Sequence, residues 1–127
     1  MSGMTIGRLA RQGGVGVETV RYYQRRALMR TPRSDGVRTY DEVDLARLRF
    51  IRSAQAAGFT LEQIGELLAL DECDDRARAR ELALERIAAL NLRIAQLSEA
   101  RAALQRLARQ CAETSDGPCP ILGAFER

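Results

Sequence analysis

Thr5-Ile-Gly-Arg-Leu-Ala-Arg-Gln-Gly-Gly-Val-Gly-Val-Glu-Thr-Val-Arg-Tyr-Tyr-Gln24 is the stretch that decides the fold. Thr5 is a good N-cap for a short helix over residues 6–12, whose apolar side is Ile6, Leu9 and Ala10. Gly13-Gly14 ends that helix and Val15-Gly16 turns the chain into a second one, from Val17 to about Arg26. Two short helices joined by a glycine turn, apolar at Ile6, Leu9, Val15 and Val20, read as a helix-turn-helix. The same pattern also describes a plain helical hairpin, so the flanking sequence has to separate the two.

Outward from this core the next stretch is Arg33-Ser-Asp-Gly-Val-Arg-Thr-Tyr40. Asp35-Gly36 is a strong hairpin-turn signal between short segments that can pair. A small β-hairpin directly after a helix-turn-helix is a wing, which places Arg33 and Arg38 where a wing meets phosphates. Asp41 then caps a helix over about 42–57. Gly58-Phe-Thr60 breaks it, and Thr60 with Gln63 forms a capping-box pair for a helix over 61–70. Leu45, Leu48, Ile51, Ile64, Leu67 and Leu68 on these two helices close a small core over the helix-turn-helix.

After the acidic break Asp71-Glu-Cys-Asp-Asp75, no Gly or Pro occurs until Gly117. Residues 76–110 therefore read as one helix of roughly 50 Å, at 1.5 Å per residue. Ile87, Leu90, Ile94, Leu97 and Leu104 follow 3-4-3-7 spacing, a heptad stripe interrupted by Arg101. A head of about 70 residues cannot cover such a stripe, and a lone helix would leave it in water. A second copy is the expected cover, so these five residues are assigned to a homodimer interface.

Composition agrees with a DNA-binding head on a different kind of tail. The chain has 127 residues, 46% hydrophobic but only 5% aromatic and with no Trp, which favours helices packed through Leu, Ile, Val and Ala. Residues 1–60 hold 11 Arg against 5 acids, and residues 61–127 hold 9 Arg against 12 acids. The basic excess thus lies in the half that contains the helix-turn-helix. No run is long enough to span a membrane and no signal peptide is visible, so a cytoplasmic protein with reduced thiols is expected.

The three cysteines carry the remaining chemistry. Cys111 and Cys119 bracket the loop Ala-Glu-Thr-Ser-Asp-Gly-Pro at the end of the long helix, and the chain has no histidine. Thiolates select soft ions such as Cu(I), Hg(II) or Zn over Mg, Ca or Mn. A zinc site here would need Asp or Glu to complete four ligands. If the long helices pair antiparallel, Cys73 at the start of one lies near the terminal loop of the other and can act in trans.

These features together resemble the MerR family of bacterial transcription regulators. The matching segments are Thr5-Ile-Gly-Arg-Leu-Ala10, Val17-Glu-Thr-Val-Arg-Tyr-Tyr-Gln24, Gly36-Val-Arg-Thr-Tyr40, residues 51–68 and Cys119-Pro-Ile-Leu122. Two departures stand out: Gly16 replaces the usual Ser or Asn cap, and Ala27 occupies a position that is commonly Gly. The fold implied is mainly α. A winged helix-turn-helix head spans 4–72, a linker and antiparallel coiled-coil dimerisation helix spans 73–110, and a metal-binding loop and tail spans 111–127.

The resemblance implies a homodimer on double-stranded promoter DNA with an overlong spacer. An effector ion re-aims the two heads, distorts the DNA and aligns the promoter for RNA polymerase, an indirect-readout mechanism. It implies DNA contacts from Val17, Glu18 and Arg21 on the second helix, from the pair Tyr22 and Tyr23, one reaching backbone and the other packing under the wing, and from Arg38 and Tyr40 in the wing, with Arg8 and Arg33 as further candidates. Metal ligands are Cys111 and Cys119, with Cys73 as a third in trans, as in the mercury sensors. Counting back from Cys111, however, the family's first-ligand position falls on Arg76. The seven-residue interval also resembles the copper sensors, so Hg(II) is preferred and Cu(I), Ag(I) or Au(I) is the alternative.

Other classes fit less well. Iron–sulfur redox sensing needs four cysteines, and a drug sensor needs more than the sixteen residues after Cys111. No nucleophile–base pair or phosphate loop supports an enzyme. A purely structural coiled coil explains the heptads but leaves the basic winged head without a role.

Overall fold

The computed structural model describes residues 3–32 and 39–124, with the side chain of Cys73 outside the described set. It contains six helices in this range: α1 (Ile6–Gly13), α2 (Val17–Arg25), α3 (Glu42–Ala56), α4 (Leu61–Cys73), α5 (Arg76–Glu113) and α6 (Pro120–Ala124). The chain divides into two compact units, Met1–Arg86 and Ile87–Arg127.

In the first unit α1 packs on α2 and α3, and α3 packs on α4. Leu9, Val20, Leu48, Ile51 and Ile64 are completely buried at the centre, joined by Leu45, Leu28 and Met29. The helix starts follow the sequence closely. Thr5 accepts the Arg8 N–H, Asp41 and Asp44 form a reciprocal capping box, and Thr60 and Gln63 form another. At Gly13, α1 lies tight against Leu48 of α3. A Cβ there would stand 2.3 Å from Cδ2 of the buried Leu48, so only glycine fits without repacking.

The helix ends share one device. At the ends of α1, α2 and α3, paired backbone bonds of the Schellman type close the turn around a left-handed residue, Gly14, Ala27 or Gly58. After α2, Ala27 N–H donates to Gln24 O and Leu28 N–H to Tyr23 O, with Ala27 at φ 61°. The end of α4 is similar, with Asp74 at φ 55°. This corrects the expected break at residue 71: α4 runs on through Asp71 and Glu72, because the stop is the left-handed Asp74 and not the acidic composition.

Further ties complete the unit. Leu82 of α5 is buried, Arg78 of α5 donates to Glu66 of α4 at 2.7 Å, and Arg86 donates to Gly58 O at 2.7 Å. Arg52 of α3 donates to Gly13 O at the end of α1. Among the described residues the β structure is one antiparallel bridge, Met4 with Tyr40, closed by two 2.8 Å backbone bonds. The expected hairpin turn at Asp35-Gly36, with Arg33 and Arg38, lies outside the described residues.

The second unit holds the rest of α5, the thiol loop and α6. The stripe Ile87, Leu90, Ile94, Leu97 and Leu104 is 37–59% exposed in the single chain. The helix extends three residues beyond the expected end, so Cys111 sits inside its last turn. α6 was not expected from the sequence; Pro120 opens it at the first helical position, where a missing N–H costs nothing. Among the described residues no helix is long and apolar enough to cross a membrane.

Candidate functional site

The outer face of α2 is built by helical spacing. Glu18, Arg21, Tyr22 and Arg25 recur at i, i+3, i+4 and i+7, and all are exposed, while Val20 and Tyr23 turn inward. Arg21 donates to Glu18 at 3.1 Å, a solvent-exposed pair of little energetic weight that a stronger anion can displace. Arg26 donates to the Tyr22 hydroxyl at 2.9 Å, and the guanidiniums of Arg25 and Arg26 lie 5.9 and 5.8 Å from its ring centre. The result is two exposed guanidiniums around one tyrosine at the end of α2, with Arg21 exposed one turn before them. Arg25 and Arg26 were missed in the sequence, although their i+3 and i+4 offsets from Tyr22 were the available signal. Arg8 is exposed on α1.

Two of the residues expected at the DNA lie in the core of the single chain. Tyr23 is 4% exposed and its hydroxyl donates to Gln55 on α3; burial pushes that phenol above its ordinary range. Tyr40 is 2% exposed and its hydroxyl accepts from Gln24 at 2.9 Å. Their hydroxyls tie α2 to α3 and to residue 40, so both hold α2 from within. Val17 also packs partly into the core.

The thiol pair belongs to the second unit. Cys111 in the last turn of α5 and Cys119 just before α6 are free, half-buried, and 3.4 Å apart at sulfur. Their environments differ. Backbone N–H bonds from Leu122, the thiol of Cys111 and the N–H of Ile121 all hold Cys119 below the ordinary thiol range. The same contact, seen from Cys111, raises that thiol. Cys119 is thus the readier thiolate of the pair. Gly117 takes the positive φ of 86° that the turn between them requires.

Cys73 closes α4, three residues before α5 begins, whereas Cys111 lies at the far end of α5. Among the described residues no three Cys, Asp or Glu side chains gather around one point. The two thiols are soft donors in contact, which suits a thiophilic ion, but they supply only two ligands.

Residues 4–71 match the MerR HTH family regulatory protein profile, and residues 45–107 match the profile named MerR, DNA binding. The chain belongs to the MerR family. Members of this family are transcription regulators, not enzymes. A mercuric resistance operon regulatory protein of Shigella flexneri is 35% identical over 129 residues, covering 99% of this chain and 90% of its own. The transcription regulator PbrR691 of Ralstonia metallidurans CH34, solved in complex with lead(II), is 34% identical with TM-score 0.72. That likeness covers 96% of this chain and 98% of PbrR691. The dual-function regulator MerR of Bacillus megaterium MB1, solved with mercury(II), is 31% identical with TM-score 0.68, over 98% and 100% of the two chains. These likenesses run through the helix-turn-helix, α5 and the thiol loop alike.

Proposed function

We propose that this MerR-family regulator is a homodimeric, metal-responsive switch at a promoter. Its α2 faces read an operator, its α5 stripes pair, and Cys111 with Cys119 takes a soft thiophilic ion, Hg(II) preferred. The observation that carries the reading is the 3.4 Å thiol pair at the end of a helix whose apolar stripe is exposed. Relatives named for mercuric resistance and neighbours solved with lead(II) and mercury(II) support the thiophilic class without separating its members.

Two soft donors in contact, in a chain without histidine, fit a thiophilic ion; two thiolates alone would suit a monovalent ion, and Hg(II) would take a third thiolate. The partner subunit's Cys73 is the proposed third thiolate, brought near by antiparallel pairing of α5. When bound, the ion supplies a strong cross-link between these sulfurs. The chain contributes the pre-positioned pair, a readily ionised Cys119, and a continuous α5 between the loop and the head's last buried turn.

At the DNA end, Arg21, Arg25, Arg26 and Tyr22 supply backbone and base contacts, with Glu18 beside Arg21 and with Arg8, Arg33 and Arg38 adding charge. Binding promoter DNA as a dimer, the regulator converts ion binding into DNA distortion that RNA polymerase reads. Titration of the reduced protein with Hg(II) and with Cu(I), under competition from a small thiol, tests the ligand set. Cys73→Ser should weaken Hg(II) at least about tenfold, the effect of losing one ligand-level interaction, and leave Cu(I) unchanged. Unchanged Hg(II) affinity in Cys73→Ser would leave the two-thiol Cu(I), Ag(I) or Au(I) reading in its place.

A further inference from the structure

The geometry points to the Cys111–Cys119 pair as an oxidation site, closed by a peroxide-class oxidant into a disulfide within the loop. The sulfurs stand 3.4 Å apart. A disulfide needs about 2.05 Å, so they have to close by about 1.4 Å. Both cysteines are partly open to solvent, and every residue between them, 112–118, is exposed. Among the described residues, no side chain packs near Gly117, and the thiol contact is the one hydrogen bond that crosses the loop. Closure therefore breaks no core packing and no backbone ladder.

The chemistry balances without a bound cofactor. One sulfur attacks a peroxide oxygen; the O–O bond breaks, and the departing oxygen leaves as water after taking up a proton. The second sulfur displaces the hydroxyl from the resulting sulfenic acid, forming the S–S bond and releasing a second water. Two sulfurs lose one electron each, and the peroxide gains both. Because the second thiol already touches the first, this step competes well with over-oxidation to sulfinic acid. The consequence is a second input at the same loop: an oxidised pair has no thiolate to offer an ion. That consequence rests on the function proposed above, whereas the oxidation itself does not.

Trypsin leaves both cysteines on one peptide, residues 110–127, and Cys73 on another. The full reduced chain, freed of metal, is treated with one equivalent of hydrogen peroxide, then alkylated and digested. Peptide 110–127 should appear about 2 Da lighter and unalkylated, about tenfold sooner than Cys73 loses its thiol. Reductant should restore it, and Cys73→Ser should leave the result unchanged. Sulfinic acid on either loop cysteine, or pairing with Cys73 or a second chain, would overturn the inference. A parallel Hg(II) titration separates the two claims. Closure without Hg(II) binding by the reduced chain would sink the proposed function alone, and Hg(II) binding without closure would sink this inference alone.

Discussion

Arg30 grips Asp44 with two parallel bonds, Nε to Oδ1 at 2.8 Å and Nη2 to Oδ2 at 2.6 Å. Asp44 is buried, and the same carboxylate accepts the Asp41 N–H at the start of α3. One acid thus fastens Arg30, just after α2, to the cap of α3. Two-pronged bonds to a buried carboxylate are among the stronger polar contacts, although the half-exposed Arg30 is partly screened. Asp44→Asn should cost about 1–2 kcal/mol in urea unfolding and loosen operator binding. An unchanged urea midpoint would show that the bracket is decorative.

Ala27 sits left-handed at φ 61° in a turn otherwise formed correctly. An L-residue there costs roughly 1–2 kcal/mol, and the larger unfolded freedom of glycine returns part of it. Ala27→Gly should raise stability by about 0.5–1 kcal/mol, read as a higher thermal midpoint. A lower midpoint would mean that the turn changes shape with the substitution.

Acid should loosen the first unit. The Asp44 backbone N–H holds Asp41 below its ordinary 3.8, and Arg78 holds Glu66 below its ordinary 4.5. Depressed folded values mean that both carboxylates stabilise the fold above those ordinary values, and that the effect fades as pH falls through the folded ones. Thermal midpoints should therefore be level above about pH 5 and decline below about pH 4.5. Glu66→Gln should flatten part of that decline; an identical acid profile in the variant would rule out the Arg78 contact as its source.

The guanidiniums around Tyr22 should register in the salt dependence of DNA binding. If Arg25 and Arg26 meet phosphates, replacing each with Ala lowers the slope of log affinity against log salt by about one. Equal slopes for wild type and both variants would confine these arginines to packing on Tyr22.

Much of this fold was legible because its signals are local. Thr5, Asp41 and the Thr60–Gln63 pair cap the helices they were expected to cap, and the 3-4-3-7 stripe lies exposed along α5. Helix ends were harder wherever a residue other than glycine adopts the left-handed turn, so Asp74 let α4 outrun its predicted stop. The roles of Tyr23 and Tyr40 came from the resemblance alone, and their packing was not legible: Gln55 and Gln24, distant in sequence, hold their hydroxyls. The two loop thiols were legible as a pair from spacing alone. Their unequal ionisation was not, since it depends on N–H groups of a short α6 that the sequence did not announce.

In the proposed switch, an ion on Cys111 and Cys119 controls transcription at a promoter the dimer already occupies. The most direct measurement is run-off transcription from that promoter with purified polymerase and reduced regulator, titrated with Hg(II). Transcript should rise at about one ion per thiol pair for wild type, and Cys119→Ser should hold the operator equally well yet give no rise. A full Hg(II) response from Cys119→Ser, with operator binding intact, would contradict the account.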